Sequence, residues 1–168
     1  MKKHIDIRHD IRPGDTDAVI RLHQVRYGNE FGFDDSFLDH VSEPFQQFAA
    51  TCSPRNRLWI AEQAGEFVGC IAVVEHSPTV ARLRWFLLAL QVPGMGLGKN
   101  LLNQSLEFCK SSGYDSVILW AISALTAAAH LYRSAGFGKV EELPNLMGGK
   151  AVIDERYELH FTQRRDVS

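Results

Sequence analysis

The chain has 168 residues, 45% hydrophobic and 23% charged, the proportions of one compact soluble domain rather than of a disordered tail or two small units. Eighteen Lys and Arg against twenty Asp and Glu leave a net charge of -2, which speaks against a nucleic-acid backbone or an anionic membrane as the main partner. No apolar run reaches the roughly 18 residues of a membrane span, and the basic N-terminus leads into no apolar stretch of the secretory kind. Cys52, Cys70 and Cys109 show neither metal-ligand spacing nor an even-numbered disulfide pattern, so the cytoplasm is the expected compartment.

Along the chain, Ile5, Ile7 and Ile11 suggest a first strand, and Pro13-Gly14-Asp15 a turn in which Asp15 caps a helix running to about Tyr27. Asp35 or Ser36 caps a second helix carrying Phe37, Leu38, Val41, Phe45 and Phe48, with a kink or a break expected at Pro44. Residues 57–62 and 67–75 are β-like runs joined by Gln63-Ala64-Gly65-Glu66, an antiparallel hairpin, and residues 80–88 form a third run. Leu101, Leu102, Leu106 and Cys109 mark one buried face of a helix over residues 100–112, which Gly113 stops. A strand at 116–120, a helix at 126–135 ended by Gly136, and strands at 137–142 and 152–161 complete the order. This is an α/β (α+β) chain with a mixed, largely antiparallel sheet of about seven strands and about four helices, parallel only where a helix intervenes.

Between the third run and its following helix lies Gln91-Val92-Pro93-Gly94-Met95-Gly96-Leu97-Gly98-Lys99. A strand, a glycine-rich turn and a helix N-terminus together present unpaired N–H groups to an anion. The nucleotide P-loop pattern fails here, with Pro93 and Asn100 at two required positions, and the dinucleotide fingerprint fails at Lys99.

Taken with Leu131-Tyr132-Arg133-Ser134-Ala135-Gly136-Phe137, this loop resembles the GNAT superfamily of acetyl-CoA-dependent N-acetyltransferases. Members show a strand, a loop of the form Arg/Gln-Gly-x-Gly-Leu/Ile-Gly, an amphipathic helix, a strand, and a helix ending in Leu-Tyr-x-x-x-Gly-Phe. The resemblance runs from about residue 5 to 161, so residues 1–168 are expected to be a single such domain, splayed at the cofactor site. The segment from Val25 to Asp34 also resembles a subgroup found alone or fused to MarR-like regulators. Two positions depart from the pattern. Pro93 brings no backbone N–H where the family has Arg or Gln, and Leu125 stands where many members have Asn.

The resemblance implies direct attack of an amine on the thioester of acetyl-CoA, the protein supplying position and proton handling. It places the pyrophosphate on the loop from Gly94 and Met95 through Gly96, Leu97 and Gly98 to Lys99, and the pantetheine arm beside Leu87 and Leu88. Tyr132 is the candidate general acid, its phenol pKa of about 10 lying near the about 8.5 of a thiol; without the motif it reads as a packing tyrosine. Glu75 at a strand end and Glu30 on the substrate side are the candidate bases, each equally readable as a solvated carboxylate. Tyr27, Phe31 and Phe33 line an acceptor pocket or form core, and the resemblance favours the pocket for Tyr27 and Phe33. Trp59, Trp85 and Trp120 serve the sheet's core, with Trp120 reaching the cleft. No metal is expected, since the seven histidines form no pair at ligand spacing. The expected partner is a small-molecule amine or a protein or peptide amine, and relatives of this kind often pair as homodimers. The competing reading is a non-catalytic acyl-CoA-binding or sensing module, suggested by Pro93 and Leu125.

Overall fold

A computed structural model describes residues 4–51, 53–92 and 96–161. The elements follow the expected alternation: β1 (Ile5–Arg8), α1 (Asp15–His23), α2 (Asp39–Ala50), β2 (Arg57–Gln63), β3 (Glu66–Glu75), β4 (Val80–Leu88), α3 (Leu97–Ser111), β5 (Ser116–Ile122), α4 (Thr126–Ser134), β6 (Gly138–Met147) and β7 (Lys150–His160). One seven-stranded sheet results, ordered β1-β2-β3-β4-β5-β7-β6. Only β4 and β5, which α3 connects, run parallel. All the other pairs are antiparallel.

The sheet has a core on each face. Leu101, Leu102 and Cys109 of α3 meet Ile71, Val73, Ala81, Val117 and Tyr157 on one side. On the other, Val19 of α1 and Val41, Phe45 and Phe48 of α2 meet Leu58, Ile60, Cys70 and Ala72. Each fully buried aliphatic side chain here contributes about 1.5–3 kcal/mol. Alternate positions divide between the two cores over Leu58–Ala61 of β2 and Cys70–Val73 of β3, and the register shift opposite Val68 turns that alternation over, so that Val68 joins the α3 core and Phe67 the other.

Several ends differ from the sequence-based expectation. Gly14, not Asp15, occupies the N-cap of α1. The Asp15 carboxylate instead accepts from the Arg12 N–H at 2.7 Å and pairs with the Arg8 guanidinium at 2.6 and 2.8 Å, binding the start of α1 to β1. Beyond His23 the helix widens into a π-helical segment, Gln24–Asn29. Asp34 caps a 3₁₀ turn, Asp35–Leu38, by accepting from the Ser36 N–H at 3.0 Å, and α2 begins only after it. Pro44 lies inside α2 without ending it. The β2–β3 turn has positive φ at both Ala64 and Gly65, the type I′ geometry that matches strand twist.

Candidate active site

The site begins with hydrogen bonds that β4 does not make. Its ladder with β5 runs only through Val80↔Ser116, Ala81↔Val117 and Arg82↔Ile118, so residues 83–88 keep β3 on one side and have no strand on the other. The cause is visible in β4 itself. Two residues of β4, Trp85 and Phe86, stand opposite the single Ile71, and Trp85 has φ +51, a left-handed conformation rare for a bulky residue. The surroundings hold this bulge. Phe45 and Phe48 pack on the Trp85 ring at centroid distances of 5.0 and 5.3 Å, and the Cys70 thiol donates to the Trp85 carbonyl at 3.0 Å.

The bulge also reverses which way β4 faces. Before it, Ala81 and Leu83 belong to the α3 core; after it, Trp85 and Leu87 belong to the α1/α2 core, while Phe86 and Leu88 pack against the α3 core. One extra residue thus splits β4 from β5 and turns its apolar alternation over.

A cavity of about 270 Å³ fills the gap, lined by residues 83–88 of β4, by Leu119, Trp120 and Ala121 of β5, by Leu131 and Tyr132 of α4, and by Tyr27 and Glu30 of the π-helical segment and its end. The sequence positions Tyr132 through the end of α4. Gly136 has φ +104, letting the Phe137 N–H reach the Tyr132 carbonyl at 3.0 Å and the Gly136 N–H reach Arg133 at 3.0 Å, a Schellman closure that fixes the last turn. The Tyr132 ring contacts Phe86, Phe137 and Tyr157 at centroid distances of 6.2, 6.0 and 5.7 Å. Burial, then the neighbouring phenols of Tyr27 and Tyr157, push its pKa well above the tyrosine value. Its hydroxyl has no hydrogen-bond partner among the described residues.

A second cavity, of about 430 Å³, opens on the α1/α2 side and shares His23, Tyr27, Leu83, Arg84, Trp85 and Trp120 with the first. Arg82, His40 and Asp154 also face it. His23 stacks on Tyr27 at 5.9 Å, and its Nδ1 lies 2.8 Å from the Val19 carbonyl, the distance of an Nδ1–H donor. Burial pushes its pKa down to about 4, so it is neutral at physiological pH. Burial likewise pushes the Tyr27 phenol up to about 12. Cys70 and Cys109 are buried with thiol pKa values raised to about 12, in keeping with their reading as core residues rather than nucleophiles.

Most of the expected site residues converge here. Leu87, Leu88, Tyr132, Tyr27, Glu30 and Trp120 all line the first cavity. Gly96 has φ +67 at the N-cap of α3, where no side chain caps the helix, leaving the first-turn N–H groups of Leu97, Gly98 and Lys99 uncapped. A Cβ on Gly98 would lie 3.0 Å from Leu88 Cδ1, so glycine permits this close seat of α3 on β4. Gly94 and Met95, with Pro93, lie outside the described residues.

Two expected residues lie elsewhere. Glu75 pairs with Ala81 at the laddered end of β4, about 20 Å along the strand from Leu87, and its carboxylate faces Arg55 at 3.5 Å. Phe33 is buried against Tyr27 and Phe37 beneath the Gly148 backbone, in the α1/α2 core rather than on either cavity wall. The sequence reading missed Arg82, Arg84 and Asp154. Two arginines alternating in a strand covered on both faces were the available signal. Among the described residues no cluster of three or more His, Cys, Asp or Glu is arranged to hold a metal ion, and no helix is long and apolar enough to cross a membrane.

The model of the acetyltransferase (GNAT) family matches residues 17–137, well over half of the chain. The chain belongs to the GNAT family. N-acetyltransferase family 8 member 3 of Rattus norvegicus is 30% identical over 118 residues, covering 59% of this chain and 52% of its own length. An uncharacterized N-acetyltransferase of Schizosaccharomyces pombe is 28% identical over 134 residues, 77% of this chain and 80% of its own. This GNAT chain therefore spans about half the length of the rat relative. A putative acetyltransferase from Salmonella typhimurium, solved with its cofactor acetyl-CoA, shares the fold with a TM-score of 0.74 at 14% identity over 98% of each chain. A putative phosphinothricin N-acetyltransferase does so at 0.77 and 17% identity, over 95% of this chain and 100% of that one.

Proposed function

We propose that this GNAT chain moves the acetyl group of acetyl-CoA directly to a primary amine, with Tyr132 as the general acid. The observation that carries the reading is the gap between β4 and β5, which brings an unpaired strand edge, an uncapped helix N-terminus and a buried phenol without a partner to one place. When bound, acetyl-CoA supplies an activated thioester whose sulfur is the leaving atom.

The chain's own groups divide the remaining work. The free edge of β4 at residues 83–88 offers backbone donors and acceptors to the amide-containing arm of the donor. The N–H groups of Leu97, Gly98 and Lys99 meet its phosphates, with the positive end of the α3 dipole behind them. Tyr132, whose burial raises its pKa above the thiol's, donates its phenolic proton to the departing sulfur through its position rather than its acidity. Glu30, on the rim and 3.3 Å from Arg26, accepts the proton that the amine must lose.

The test is thiol release by the wild type and by Tyr132→Phe over a range of amines. The variant is expected to lose about 10²- to 10⁴-fold in kcat with an unchanged Tm. Equal turnover by the two proteins removes Tyr132 as the acid. Turnover with any amine excludes a purely sensing role.

A further inference from the structure

Arg82 and Arg84 are two residues apart on β4, so their side chains leave the same face of the sheet with Cα atoms about 7 Å apart. That face is the one α1 and α2 cover, because Ala72, the residue opposite Arg84, belongs to their core. Both arginines line the second cavity. Arginine is almost never placed on the covered face of a central strand unless something pairs with it.

Among the described residues, nothing does so. Arg8, Arg26 and Arg156 each have a carboxylate within 3.5 Å, whereas among the described residues Arg82 and Arg84 have none within 4.0 Å. Arg82 Nε is shielded from water and has no acceptor. The Arg84 guanidinium lies 4.6 Å over the Trp85 ring, a contact that orients its plane but leaves its N–H groups free to point elsewhere. Burial, together with the charge of Arg82, lowers the Arg84 pKa to about 10, the mark of two cations held side by side without a counter-ion. Asp154 faces the same cavity but is bound to Asn145 at 2.8 Å, and the neutral His23 adds no charge. The cavity thus carries two cations against one carboxylate. Its 430 Å³ suits a small molecule.

Resting on the acetyl-transfer reading, we propose that the acceptor is a small amine bearing a carboxylate, whose anion is held by Arg82 and Arg84 while its amine lies toward Tyr27 and Trp120, where the two cavities meet. The planar guanidinium forks match a carboxylate, and desolvation in the cavity strengthens the pairing. Asp154 is placed in the same cavity to meet an ammonium, so an amino acid presents both complementary charges.

The experiment measures kcat/KM by thiol release for matched pairs, each an amino acid and its neutral carboxamide, with aminoalkyl phosphonates as a third arm. The proposal predicts a preference of roughly 100-fold for the carboxylate member. Arg82→Gln and Arg84→Gln are each expected to raise its KM by about 10-fold or more and abolish most of the preference, with Arg82→Gln leaving the KM for acetyl-CoA unchanged and Arg84→Lys falling between wild type and Arg84→Gln. Arg82→Gln should also leave Tm unchanged or raised, because it removes a buried charge without a partner, whereas a structural arginine would lower it. Equal use of carboxylates and carboxamides, preference for the phosphonates, or no transfer to any member while acetyl-CoA still raises Tm overturns the carboxylate site and leaves the acetyl-CoA reading standing. Absence of any acetyl-CoA effect on Tm overturns both.

Discussion

The two halves of β4 are built from one continuous run of alternating residues, yet they do opposite things. From Val80 to Arg82 the strand is bonded to β3 and β5 and belongs to the sheet's framework; from Leu83 to Leu88 it is bonded to β3 alone and one edge faces a cavity. The difference is one residue, Trp85, whose positive φ and aromatic seat turn the strand. A strained conformation of this kind costs on the order of 1–3 kcal/mol, and the packing of Phe45 and Phe48 on the indole offsets it. The site is thus made by withholding backbone pairing at one place and packing tightly around it.

In the open half, Tyr132→Phe is expected to cost turnover and leave Tm unchanged; a loss of stability without a loss of turnover would mean that this half, too, is framework. The next largest effect is acid sensitivity at the wall the two cavities share. His23 has a folded pKa of about 4 against the ordinary 6.5, so it stays neutral while the unfolded chain takes up a proton. Its contribution is therefore complete above pH 6.5, and about 3 kcal/mol is lost as the pH falls to 4. Urea unfolding over that range should show the decline in the wild type and a flatter profile in His23→Leu.

In the laddered half, Val117 is fully buried beside its partner Ala81, and Val117→Ala is expected to cost about 2–3 kcal/mol of stability, read by urea unfolding, with KM for acetyl-CoA unchanged. A large KM change would mean that the two halves are not separable. The smallest effect belongs to Glu75→Gln. Its half-exposed pair with Arg55 is worth less than about 1 kcal/mol, and its distance from the cavity predicts an unaltered pH–rate profile.

Much of this was legible in the residues. The element order, the hairpin at Ala64-Gly65 and the convergence of Leu87, Leu88 and Tyr132 on one cavity follow from periodicity, turn chemistry and the GNAT resemblance. The bulge was not, because Trp85 carries none of the signals, glycine above all, that mark a left-handed residue. Without the bulge there is no telling which end of the strand opens, and so Glu75, at a strand end of the right chemistry, was placed at the wrong end. Phe33 illustrates another limit. Tyr27 and Phe33 share one aromatic cluster, and only the Gly148 backbone lying over Phe33 separates the core member from the wall member. Asp15 turned from a cap into an ion-pair partner because Arg8, seven residues earlier, comes back beside it.

Amide hydrogen exchange with and without the saturating donor shows whether the unpaired edge of β4 and the start of α3 receive acetyl-CoA as proposed. Slowing is expected in peptides spanning residues 83–88 and 97–99, with no change at 80–82, where the ladder already protects the backbone. Protection confined to parts of the chain away from the cavity, or none within residues 83–88, would contradict it.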